Sequence, residues 1–256
     1  MKKAIIIASF GTSHKETRKL CIESIEERIK EKYRNFLILR VFTSQIIINR
    51  IRERENYLVY SLSEAFGKIR ENKVNTVYLT PLFILPGKEY RKLTGQVQEF
   101  FKGNPPIDVQ IGSPLLFHDM DYDKVVEGLS FGLESEEGIV FMGHGSDSFA
   151  DKCYEKLEGR FRHRGYENIF IGSLKGNRTI DNIIPVLKKK NIKRVRLMPF
   201  MLVAGKHAID DMMAGENSWE KKLLSQGIKV EVLLKGLGQI RSIQDIYMDH
   251  LGKLFT

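Results

Sequence analysis

Val77-Tyr-Leu-Thr-Pro-Leu-Phe-Ile-Leu-Pro-Gly-Lys-Glu89 reads as a copy of Val195-Arg-Leu-Met-Pro-Phe-Met-Leu-Val-Ala-Gly-Lys-His207, and this pair decides the fold. Each copy opens as an apolar strand and ends in a Gly-Lys turn that presents a Glu or a His. A second pair sets Ile5-Ile-Ile-Ala-Ser-Phe-Gly-Thr-Ser13 against Ile139-Val-Phe-Met-Gly-His-Gly-Ser-Asp147, so that Phe10 answers to His144. The two pairs are displaced by different lengths, which means that two halves share a scaffold and differ in their loops. If the halves face each other, Glu89, His144 and His207 converge on one cleft. Two imidazoles and a carboxylate are the donor set of an open divalent-metal site.

Outward from these stretches the chain alternates strand and helix. Continuous apolar runs at 4–9, 36–42, 75–80 and 107–112, then 138–143, 168–172, 193–199 and 228–233, predict strands buried on both faces of a parallel sheet. Ile22, Ile25 and Ile29 share one helical face, as do Tyr154, Leu157 and Phe161. Further helices are predicted at 45–53, 58–71, 88–101, 121–132, 179–190 (bent at Pro185), from about His207, from an N-cap at Ser218 through Leu224, and at 240–255. The fold class is therefore α/β: two similar lobes, each a parallel sheet flanked by helices, with an active-site cleft between them. Acidic and glycine residues near Glu134–Gly138 mark the break. It gives an N-terminal lobe at 1–134 and a C-terminal lobe at 135–256, whose final helix is free to pack back on the first.

The 256 residues are 42% apolar and 29% charged, an ordinary balance for a soluble globular enzyme. The apolar run Ala4–Ala8 is too short for a signal-peptide core or a membrane span, so the cytoplasm is the expected compartment. Cys21 and Cys153 lie apart, each in a helical pattern, and read as small half-buried residues. The net charge of +9 is open to three readings, a Lys-rich genome, a nucleic-acid surface or an acidic small-molecule ligand. No helix-turn-helix, zinc-finger or RRM-type pattern accompanies it, so nucleic acid is not an expected partner. The cluster Lys188, Lys189, Lys190, Lys193, Arg194 and Arg196 suits the solvated end of a helix. A homo-oligomer is left open.

In open α/β sheets, ligands bind outside the carboxyl ends of the strands. Ser9–Ser13, Phe83–Glu89, Gly143–Asp147 and Val203–His207 all reach that edge. His144, flanked by glycines after a buried strand, is placed to act as ligand or base rather than as a core residue. His207 opens a helix with Asp210 and Asp211 three and four residues on, where a carboxylate can orient its ring. Glu89 stands at the matching position of the first half. His14 and His118 lie in loops near the edge; His163 and His250 fall on charged helices and are expected to face solvent. Walker A, GxGxxG, GxSxG and HExxH patterns do not occur.

Phe42-Thr-Ser44, Gly87-Lys-Glu-Tyr90, Phe141-Met-Gly-His-Gly145, Leu197–Gly205, His207–Met212, Ser218-Trp219 and Gly236-Leu-Gly238 together resemble the CbiK-type anaerobic cobalt chelatases. The resemblance runs in order through nearly the whole chain. It implies a class II chelatase, a lyase that inserts Co²⁺ into sirohydrochlorin or its reduced form in cobalamin biosynthesis without ATP or an organic cofactor. It further implies that His144 and His207 hold the metal, with Glu89 as a third ligand or proton acceptor. Ser9, Phe10, Thr12, Ser13, Phe83, Lys88 and Lys206 would contact the tetrapyrrole. The chain departs from similar sequences at Phe83, where His is frequent, at Ser173-Leu-Lys175, where an acidic residue is frequent, and at Lys88 and Lys206. Each departure makes the site less acidic, which weakens capture of a free cation and favours a polycarboxylate ring. The alternatives are a tetrapyrrole carrier without turnover and a chelatase for Fe²⁺ or Ni²⁺.

Overall fold

A computed structural model describes residues 2–55, 57–102, 107–129, 132–145, 148–205 and 209–255. By compactness the chain divides into two units, Met1–Phe117 with Ile243–Thr256, and His118–Ser242.

The first unit is built on four parallel strands, β1 (Lys3–Ser9), β2 (Leu37–Phe42), β3 (Thr76–Pro81) and β4 (Asp108–Ile111), in the order β2-β1-β3-β4. Its helices are α1 (Lys15–Arg18), which runs through a π turn at Lys19–Glu23 into α2 (Ser24–Lys32), then α3 (Gln45–Arg54), α4 (Leu62–Glu71) and α5 (Lys88–Phe101). Ala4, Ile6 and Ala8 share an apolar cluster with Phe66, Ile69, Leu93 and Val97 of α4 and α5. The alternate residues Ile5 and Ile7 are also buried. Strands covered on both faces need continuous rather than alternating apolar runs, which is what the sequence shows.

The second unit repeats the plan. Its strands are β5 (Glu137–Gly143), β6 (Ile169–Ser173), β7 (Arg194–Pro199) and β8 (Lys229–Val232), in the order β6-β5-β7-β8. Its helices are α6 (Asp119–Gly128), α7 (Ser148–His163), α8 (Ile180–Lys189) and α9 (Trp219–Ser225), with a π turn at Asp210–Ala214. The repeat holds at the level of individual pairings: Ala4 faces Val77 in one sheet and Gly138 faces Val195 in the other. The same displacements align the two sequence repeats.

The final helix, α10 (Arg241–Gly252), belongs to the first unit. Arg28 meets Gln244 and Asp245, and Phe255, just beyond α10, stacks on Tyr33 at 4.8 Å. His250, expected to face solvent, is instead 3% exposed, and its Nδ1 donates to the Ser113 carbonyl at 3.1 Å. The charges beside it in sequence describe a different face of the helix, which is why the local pattern misleads. Cys21 and Cys153, expected half-buried, are 0% and 6% exposed.

Two helix starts also differ from expectation because caps decide them. The helix predicted from Leu58 begins at Leu62: the Ser61 hydroxyl accepts from the Glu64 N–H, and the Glu64 carboxylate accepts from the Ser61 N–H at 2.7 Å. The helix predicted at 121–132 runs instead over Asp119–Gly128. Its start is fixed by Asp121, whose carboxylate accepts from the His118 N–H at 2.7 Å.

Candidate functional site

In both sheets the chain leaves the first strand toward one neighbour and later returns on its other side. The order therefore reverses between β1 and β3, and again between β5 and β7. Helices leave the two strands flanking such a point on opposite faces, so the carboxyl ends between them stay open for a ligand. Ser9–Ser13 and Phe83–Glu89 flank the first reversal; the segments beginning at Gly143 and Val203 flank the second. Backbone bonds fix both pairs in the same way. Leu82 N–H donates to the Ala8 carbonyl at 2.7 Å and Phe200 N–H to the Met142 carbonyl at 2.8 Å. The Phe83 carbonyl then accepts from Leu115 N–H at 2.9 Å, and Met201 from Leu237 at 2.8 Å.

His144 is the best defined of the candidates. It is exposed directly after β5, and its Nδ1 lies 2.8 Å from the carbonyl oxygen of Gly145. A carbonyl only accepts, so Nδ1 carries the proton and the neutral ring keeps its lone pair on Nε2, the nitrogen left for a cation. Both flanking glycines are sterically required. A Cβ at Gly143 would lie 2.5 Å from the Tyr154 ring, and one at Gly145, where φ is +65°, would lie 2.3 Å from the Lys175 carbonyl. Tyr154 is buried beneath the turn and its hydroxyl bonds the Gly145 backbone; burial pushes the phenol far above its ordinary range, so it stays a neutral hydroxyl. The turn after β6 closes the other side, with Leu174 N–H donating to Gly143 O and Lys175 N–H to His144 O, both at 3.0 Å.

The matching turn of the first unit has the same backbone and different chemistry. Phe10, at the position of His144, is 51% exposed, and Gly11 has φ +91° with Phe42 2.4 Å from where its Cβ would stand. Thr43 N–H donates to Ser9 O at 2.9 Å, as Leu174 does to Gly143. Ser9 is 2% exposed, and its hydroxyl has no partner among the described residues. Thr12 is buried and accepts from the His14 N–H at 3.2 Å, while Ser13 is half-buried. Phe83 is half-buried; Lys88 and Glu89 are exposed in the first turn of α5, where the helix dipole favours the carboxylate. The Tyr247 hydroxyl of α10 donates to the Phe83 carbonyl at 3.0 Å and steadies the loop leading to them.

The structure thus places Glu89 in the first unit and His144 in the second; Lys206 and His207 lie outside the described residues. Among the described residues, no three His, Cys, Asp or Glu side chains group closely enough to hold a metal ion. Sequence reasoning missed Asp151, Tyr154 and Tyr247. Tyr154 registers only as an apolar-face residue of α7. Asp151 follows Ser148 at capping-box spacing, which disguises a long-range contact as a local one.

The chain matches the family described as cobalt chelatase (CbiK) over residues 3–255. It is 31% identical over 255 residues to sirohydrochlorin cobaltochelatase CbiKC of Nitratidesulfovibrio vulgaris, covering 98% of this chain and 89% of that one. It is also 31% identical over 257 residues to sirohydrochlorin cobaltochelatase of Salmonella typhimurium, covering 98% and 96%. Among solved structures it is similar to SirB from Bacillus subtilis with Fe³⁺, with a TM-score of 0.73, 13% identity and coverage of 99% and 96%. At that identity the likeness to SirB is one of fold.

Proposed function

The chain belongs to the cobalt chelatase (CbiK) family, and from that membership we propose that it inserts Co²⁺ into sirohydrochlorin. The reaction exchanges two pyrrolic N–H protons for one divalent cation, so the protein must hold the cation, accept protons and orient the ring. The single observation that carries the reading within this chain is His144. An exposed imidazole on a rigid Gly-His-Gly turn, with Nδ1 tied to Gly145 O, offers Nε2 to a cation at the point where the sheet order reverses.

His207 is proposed as the second metal-holding imidazole and Glu89 as a third oxygen ligand or proton acceptor. Phe10 and Phe83 supply apolar contact for the flat ring. Ser9, Thr12 and Ser13 with Lys88 and Lys206 engage its peripheral carboxylates by charge-assisted hydrogen bonds. Of these hydroxyls, Ser13 is the most accessible, whereas Ser9 and Thr12 are buried at the turn and Thr12 accepts from the His14 N–H. A metal held by neutral imidazoles needs no organic cofactor for insertion. The pathway is proposed to be cobalamin synthesis, the reaction class a lyase and the compartment the cytoplasm. No helix among the described residues is long and apolar enough to cross a membrane.

The test is anaerobic incubation of the purified protein with sirohydrochlorin and Co²⁺, followed by absorption spectroscopy. The expected result is multiple turnovers of a cobalt-dependent spectral change. Stoichiometric ring binding without any metal-dependent change overturns the proposal. His144→Ala is expected to slow insertion by at least about 100-fold, at an unchanged unfolding midpoint.

A further inference from the structure

We propose that Asp151 is a positioning residue that fixes the metal-holding imidazole by clasping the turn after β6 against the His144 backbone. This rests on the reading of His144 given above. Asp151 lies near the start of α7 and is 5% exposed. Its Oδ1 accepts from the Ser173 hydroxyl at 3.0 Å and its Oδ2 from the Asn177 N–H at 2.8 Å. Ser173 is fully buried, and a Cβ on Gly176 would stand 2.4 Å from Oδ1, so the turn closes directly over the carboxylate. Among the described residues its partners are a hydroxyl and a backbone N–H four residues apart, so the one carboxylate ties two points of the same turn.

What it holds is the backbone of the ligand turn. The clasped segment, Ser173–Asn177, is the one whose Leu174 and Lys175 N–H groups bond the carbonyls of Gly143 and His144. Its Lys175 carbonyl forms the wall that admits only glycine at 145, and the Gly145 carbonyl in turn holds the His144 ring through Nδ1. A continuous chain of contacts therefore runs from the Asp151 carboxylate to the orientation of Nε2. Tyr154, three residues on along α7, meets the same turn from beneath, so one helix face supports the ligand from two sides. Imidazole ligands are commonly oriented by a carboxylate acting on the ring itself; here the carboxylate acts through the backbone.

The experiment compares Asp151→Ala, Asp151→Asn and Gly176→Ala with wild type, each checked for its unfolding midpoint. It reads Co²⁺ binding by calorimetry, KM for metal and ring separately, and amide hydrogen exchange at Leu174 and Lys175. Asp151→Ala is expected to weaken Co²⁺ binding by about 10- to 100-fold, with the ring KM unchanged and faster exchange at both amides. Asp151→Asn is expected to stay close to wild type, because its amide oxygen accepts from Asn177 and its nitrogen donates to Ser173. Gly176→Ala keeps the charge, pushes on the clasp and is expected to behave like Asp151→Ala. Equal losses in the Asn and Ala variants, or wild-type Co²⁺ binding in Asp151→Ala, overturn the proposal. His144→Ala run in parallel separates the two questions: if it binds Co²⁺ as wild type does, the reading of His144 fails first. If Asp151→Ala does not fold, Ser173→Ala removes one arm of the clasp and carries the same expectations at smaller size.

Discussion

His144 stands between two positions that have no room for a side chain. At Gly143 the space is taken by Tyr154, and at Gly145 the backbone turns left-handed against the Lys175 carbonyl. Gly145→Ala is therefore expected to destabilise the second unit by about 1–3 kcal/mol, from the left-handed penalty and the close contact together. Urea unfolding of the variant checks this, and a midpoint equal to wild type would show that the turn relaxes without cost. The sequence made the Gly-His-Gly spacing visible but gave two readings for it, since every fold of this class turns sharply at strand ends. The structure adds the steric reason for both glycines, in Tyr154 and Lys175, which lie ten and more residues away along the chain and leave no local mark. His250 is the reverse case: a residue that looks peripheral by its neighbours lies on the buried face of α10 and meets a distant carbonyl, that of Ser113.

Elements were legible where the apolar period set them, and displaced where a cap did. Helix α5 runs over Lys88–Phe101 as its pattern predicts, whereas α4 waits for Ser61. The Ser61–Glu64 capping box satisfies backbone N–H groups that the first turn would otherwise leave unpaired. Ser61→Ala is expected to cost about 1 kcal/mol in chemical denaturation. Arg52 and the Ser61 N–H hold the Glu64 carboxyl down at about 2, below its ordinary 4.5. A depressed folded-state value stabilises above the unfolded value, so this support is complete above pH 4.5 and is lost as pH falls toward 2. NMR titration of Glu64 checks it, with Ser61→Ala raising the midpoint. A midpoint near 4.5 in wild type would remove the carboxylate from the cap. The π turns at Lys19–Glu23 and Asp210–Ala214 carry no signal in apolar spacing and appear only in the folded chain.

At the scale of the molecule the first unit is completed by the end of the chain. Ile243, Ile246, Tyr247 and Leu251 of α10 are buried, each contributing about 1.5–3 kcal/mol of apolar burial. Their sum rivals the whole net stability of a domain, about 5–15 kcal/mol. A chain ending at residue 240 is expected to lose hydrogen-exchange protection at the β1 amides of Ile5–Ile7. Full protection there would show that α10 is dispensable. Arg18 makes a similar point about charge. Its side chain is 1% exposed, paired with Glu23 and Glu55, and lies 4.0 Å from the ring centre of Tyr57. Nothing in its local pattern separates it from the solvated lysines nearby.

The order of the residues alone determined the alternation of strands and helices and the doubling of one scaffold within the chain. Each is written in spacing between near neighbours or in self-similarity, and both survive in a linear string. Only the folded chain decided which polar groups are enclosed and what they brace. The Tyr247 hydroxyl reaches a carbonyl 164 residues away, and the Asp151 carboxylate one turn 22 to 26 residues on. Such partners are chosen by where the sheets bring distant segments together, and a buried polar group takes whatever donor or acceptor that meeting supplies.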